Sequence, residues 1–75
     1  MLNITFGDNL SRSIAFADET TTVNDFIAAN AFDVGGRSVT LNGNTLTADQ
    51  REMTFAALGV TERASLLAIA RKDNA

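Results

Sequence analysis

Two carboxylate pairs are the residues of this chain whose types and spacing could do chemistry. Asp18-Glu19 and Asp49/Glu52 could serve acid–base catalysis or hold a divalent cation. The chain has no histidine and no cysteine, so it lacks the usual neutral-pH proton donor and every thiolate ligand or nucleophile. Because the pairs adjoin a strand end and a polar helical turn, solvated surface explains them better. We expect no catalytic residue, no metal, no cofactor and no enzymatic activity.

Composition favours one small domain that spans residues 1–75. An apolar content of 45% in 75 residues is enough for one core and no second one. Six basic residues against nine acidic ones give a net charge of -3, and the basic residues are scattered, which argues against nucleic acid as a partner. The sequence shows no apolar run of membrane-spanning length and no signal peptide, so we expect a cytoplasmic protein without a membrane partner.

The first seventeen residues predict a β-hairpin. Residues 2–7 alternate between apolar and polar side chains, Gly7-Asp8-Asn9 supplies turn chemistry, and residues 13–17 alternate again. In the second strand we expect Ile14 and Phe16 to face the core, with the residues between them facing out. The phenylalanines expected in the core are Phe6, Phe16, Phe26 and Phe55.

A helix should follow, with Thr22 as its N-cap and Asp25 at the capping-box position, since apolar residues recur at 23, 26, 27 and 31. It should end before Gly35-Gly36. Phe32, at the helix end, is either a lid on the core or an anchor for an interaction.

The second half predicts short strands around a tight turn and one long final strand. Val39 and Leu41 form a strand, Asn42-Gly43 turns it, and Thr45-Leu46 begins the return. Thr47 to Gln50 has capping-box spacing, and Gly59 ends a further turn. The nearly continuous apolar run at 64–71 is typical of a central strand. The order predicts an α+β roll, in which a mixed sheet of four to five strands packs on one helix.

Four segments in this order resemble the ubiquitin-like β-grasp superfamily over most of the chain. They are Ser13-Ile14-Ala15-Phe16, Thr22-Val23-Asn24-Asp25-Phe26, the run from Val39 to Leu46, and Phe55-x-x-Leu58-Gly59-Val60 through to Leu66. The Leu-Asn-Gly turn is also similar to that of the bacterial sulfur carriers of the ThiS and MoaD type. The resemblance implies a β-grasp fold and a protein partner.

Ubiquitin and the sulfur carriers act through a C-terminal Gly-Gly, and this chain departs from that pattern. It ends in Asp73-Asn74-Ala75, and its Gly-Gly lies at residues 35–36. We therefore expect an interaction module that does not undergo conjugation as it stands. The alternatives are a sulfur carrier or protein modifier after processing, and a structural or assembly subunit of a phage or secretion system.

The resemblance also implies a protein-binding surface. Its members would be Leu10, Thr40, Leu67, Ile69 and Arg71. We expect the protein to be a monomer or to self-associate weakly. Two registers of the last strand are open. The gapless match from Phe55 to Leu66 favours Leu67 and Ile69 facing outward, whereas side-chain bulk argues for the reverse.

Overall fold

The computed structural model describes residues 1–8 and 10–70, which form an α+β fold of one mixed sheet and two short helices. The elements in chain order are β1 (Leu2–Gly7), β2 (Arg12–Ala17), α1 (Val23–Ala29), β3 (Arg37–Leu41), β4 (Asn44–Thr45), α2 (Ala48–Arg51) and β5 (Arg63–Ala70). Neither helix in this part of the chain has the length and apolar character needed to cross a membrane.

The five strands lie in the order β2-β1-β5-β3-β4. β1 and β5 are parallel, and the other three neighbouring pairs are antiparallel. The predicted hairpin and the central position of the last strand are confirmed. A strand between two neighbours has both edges hydrogen-bonded, which suits the apolar character of β5.

Local sequence signals set the helix and turn boundaries. The Thr22 hydroxyl accepts a hydrogen bond from the backbone N–H of Asp25 at 3.1 Å, so the predicted N-cap of α1 is confirmed. Thr47 and Gln50 form the reciprocal capping box that opens α2. Asn42-Gly43 makes the β3–β4 turn with both residues at positive φ.

The core lies between one face of the sheet and α1. The Phe26 ring packs edge-on against Phe6, with the ring centroids 5.4 Å apart, and against Phe55 at 5.6 Å. Phe32 is half-buried, and its ring centroid is 5.3 Å from that of Phe6. Of the two sequence interpretations of Phe32, this packing supports the lid.

The facing predicted for β2 was wrong. β2 pairs with β1 so that Ala17 lies opposite Leu2 and Ala15 lies opposite Ile4. Leu2 and Ile4 are both buried. Directly paired residues of antiparallel strands share a face, so the alanines turn toward the core. Ile14 and Phe16 are 68% and 65% exposed on the other face. Phe16 is therefore not a core residue.

Candidate functional site

The side of the sheet opposite α1 carries apolar side chains, and we call it the open face. Strand pairing assigns its members, because each residue shares a face with the residue directly across from it. They are Asn3, Thr5 and Gly7 of β1, Arg12, Ile14 and Phe16 of β2, Ser38 and Thr40 of β3, Thr45 of β4, and Arg63, Ser65, Leu67 and Ile69 of β5.

β5 places two of the predicted binding residues on the open face. Leu66 and Ala68 are buried in the core, and the alternate residues Leu67 and Ile69 are half-buried on the opposite side. The outward placement of Leu67 and Ile69, favoured from the sequence, is thus confirmed. A slip of one residue would have reversed the two pairs.

Thr40 lies beside this pair but offers little surface of its own. It is directly opposite Leu67 on β3, and its hydroxyl donates a hydrogen bond to the Leu67 carbonyl oxygen at 3.4 Å. Only 5% of Thr40 is exposed. Its hydrogen bond links β3 to β5, and the partly accessible side chains beside it are those of Leu67 and Ile69.

Leu10 lies in a loop apart from this group. Leu10 is 96% exposed in the loop between β1 and β2. That loop follows Gly7, which lies beside Leu67 in the β1–β5 pairing. Arg71 lies outside the described residues.

Ile14 and Phe16 are the open-face residues that sequence reasoning missed. They lie on β2, opposite Thr5 and Asn3 respectively. The alternation was visible in the sequence, but it does not say which of two faces is buried. The signal that could have found them is the pairing of β2 with β1. Because Leu2 and Ile4 of β1 are buried, the β2 residues directly opposite them must face the core, and the residues between must face out.

Asp8 organises the hairpin loop next to the open face. Its Oδ1 accepts hydrogen bonds from the backbone N–H groups of Leu10 and Ser11, each at 2.8 Å. Its Oδ2 is 3.5 Å from Nη1 of Arg37. The two backbone hydrogen bonds, and after them the charge of Arg37, lower the pKa of Asp8 below its ordinary value.

Gly7 fixes the approach of the two hairpin strands. Its φ is +147°, and a Cβ at this position would lie 2.1 Å from the Ser11 carbonyl oxygen. Only glycine fits so close to the facing backbone. The missing side chain also means that no β1 side chain lies directly opposite Leu67 on the open face.

The carboxylate pairs singled out in the sequence lie on the surface. Asp18, Glu19, Asp49 and Glu52 are all exposed. Within residues 1–8 and 10–70, no three acidic side chains come together in a group that could hold a metal ion.

Comparison of the chain with protein-family models, with curated proteins and with solved structures found no match. The open face and the strand pairing are therefore the features that support a proposal about function.

Proposed function

We propose that this protein is a ubiquitin-like β-grasp module that binds a partner protein and catalyses no reaction itself. The observation that carries the proposal is the set of apolar side chains on the open face. Ile14 and Phe16 are about two-thirds exposed, and Leu67 and Ile69 add partly accessible apolar surface on the central strand. Apolar side chains grouped on one face are typical of protein-binding surfaces.

The topology supports the β-grasp part of the proposal. A β-grasp fold combines a hairpin, a helix that crosses the sheet, and a final strand parallel to the first. The chain has β1 and β2 as a hairpin, α1 against the core, and β5 between β1 and β3. The fold by itself fixes no function, so the binding role depends on the open face.

The chemistry of the open face fits a protein surface better than a small molecule. Leu67 and Ile69 are flanked by short polar side chains, Ser65 on their own strand and Ser38 on β3. An apolar centre with a polar surround is the usual arrangement of a protein interface. An exposed face of a sheet is also less concave than the clefts that usually enclose small ligands.

The proposal is tested by comparing proteins captured by matched variants. Leu67→Thr with Ile69→Thr removes apolar surface from the open face and places in β5 a residue type that favours strands. Met53→Thr is the control, because Met53 is an exposed apolar residue outside the sheet. We expect the wild type and Met53→Thr to capture the same partner protein from the native cell extract. The double variant should fail to capture it. Equal capture by all three folded proteins would overturn the proposal.

A further inference from the structure

Within residues 1–8 and 10–70, β2 forms one edge of the sheet and pairs on one side only, with β1. The backbone N–H of Asp8 donates a hydrogen bond to the Ser11 carbonyl oxygen across the hairpin. The backbone N–H of Asn3 donates one to the Glu62 carbonyl oxygen on the other side of β1. Hydrogen-bonded and non-hydrogen-bonded pairs alternate along an antiparallel ladder, so the N–H and C=O groups of residues 13, 15 and 17 point toward β1. The N–H and C=O groups of Arg12, Ile14 and Phe16 point to the free edge.

This edge has few of the features that prevent strand pairing. β2 is six residues long, the chain contains no proline, and two of the three side chains beside the free backbone groups, Ile14 and Phe16, are apolar and exposed, while the third is Arg12. Long, apolar edge strands are templates for pairing with another chain. The opposite edge differs, because β4 has only two residues.

We propose that β2 pairs antiparallel with β2 of a second copy of this chain, about a two-fold axis at Ala15. The two sheets then join into one continuous sheet with their open faces on the same side. Ile14 of each copy lies opposite Phe16 of the other, and the free N–H and C=O groups of these residues are mutually satisfied.

Charge and side-chain type select this register. Pairing about Ala15 puts Arg12 of one copy level with Asp18 of the other, twice, and matches apolar residues with each other. A two-fold axis at Ile14 would place Arg12 against Phe16. An axis at Phe16 would place Ile14 against Asp18. Registers centred between two residues would place an open-face side chain against a core-facing one.

The second copy is favoured over an unrelated strand because the pattern is complementary to itself. Both the charges and the large apolar side chains of β2 find their partners in the same six-residue strand and the residue after it. One strand pairing buries less surface than a stable obligate interface, so the association is weak and depends on concentration.

This inference does not rest on the proposed function. The dimer uses the free edge of β2, whereas partner binding is tested at Leu67 and Ile69 of β5. A protein that remains monomeric but still binds a partner through β5 would overturn only the dimer. Loss of partner binding with an intact dimer would overturn only the proposed function.

The test is sedimentation equilibrium of the full chain from about 10 µM to about 1 mM, a range over which weak strand pairing is populated. We expect a monomer–dimer equilibrium in the wild type. Arg12→Asp and Asp18→Arg should each weaken dimerisation by about tenfold, since each places like charges together at two symmetric contacts. The double variant that exchanges the two charges should restore it.

Edge substitutions at Ile14 provide a second measurement. Ile14→Pro removes an N–H that points to the free edge and leaves the β1–β2 hydrogen bonds in place, so it should abolish the dimer. Ile14→Thr keeps that N–H and controls for the loss of apolar surface. Circular dichroism verifies that each variant is folded. A monomeric wild type at 1 mM, or a charge exchange that fails to restore dimerisation, would overturn the proposal.

Discussion

The opposite burial of two phenylalanines predicts different stability effects for the same substitution. Phe26 is 2% exposed, and its ring lies edge-on to both Phe6 and Phe55. Phe26→Leu loses two aromatic contacts of about 0.5–1.5 kcal/mol each and leaves unfilled volume in the core. We therefore expect the free energy of unfolding to fall by about 2–3 kcal/mol. Phe16 is 65% exposed and has no such contacts among the described aromatic pairs. Phe16→Leu should change the free energy of unfolding by less than about 0.5 kcal/mol.

The assay is urea unfolding followed by far-UV circular dichroism, because the chain has no tryptophan or tyrosine. Low protein concentration keeps association from adding to the apparent stability. A total stability of roughly 4–11 kcal/mol is typical for this length, so Phe26→Leu should remain folded with a clearly lower midpoint. A Phe16→Leu protein as destabilised as Phe26→Leu would place Phe16 in the core and refute the assigned facing of β2.

Three further predictions concern the hairpin and α1. Gly7→Ala should destabilise by more than about 2 kcal/mol in thermal unfolding, because its Cβ would collide with the Ser11 carbonyl; a near-neutral result would contradict this backbone geometry. Thr22→Ala should lower the free energy of unfolding by about 1 kcal/mol through loss of the N-cap, whereas Thr22→Ser should retain most of it. Because folding lowers the pKa of Asp8, the ionised Asp8 stabilises the fold at pH values above its ordinary pKa of 3.8. This contribution is lost as the pH falls through the pKa of Asp8 in the folded state. Any advantage of the wild type over Asp8→Asn should therefore shrink below pH 3.8, and an advantage that grows there would contradict the hydrogen bonding of Asp8.

Much of the fold could be predicted from local signals. The N-caps at Thr22 and Thr47, the Asn42-Gly43 turn and the apolar run of β5 each have a short-range physical cause, and each appears in the structure. Such signals depend on a few neighbouring residues and little on the rest of the chain.

The facing of β2 could not be predicted from its own residues. Both sets of alternating positions are apolar or small, so Ile14 and Phe16 looked like core residues beside Ala15. The decision comes from the register with β1, a contact between strands that periodicity does not encode. The same limit applied to β5, where bulk also favoured the wrong face and the spacing from Phe55 favoured the right one.

The exposed residues of β2 define how strong an association through this edge can become. Full burial of an isoleucine or phenylalanine side chain stabilises by about 1.5–3 kcal/mol. The two-thirds still exposed at Ile14 and Phe16 therefore set an upper limit of about 4–8 kcal/mol for two chains, and edge pairing gains only part of it because the open face stays accessible. The association cost begins at about 4 kcal/mol, so the edge hydrogen bonds and the Arg12–Asp18 charge pairs decide the outcome. This is why the charge exchange is the most informative variant: it leaves the apolar contacts unchanged and alters only the interactions that select the register.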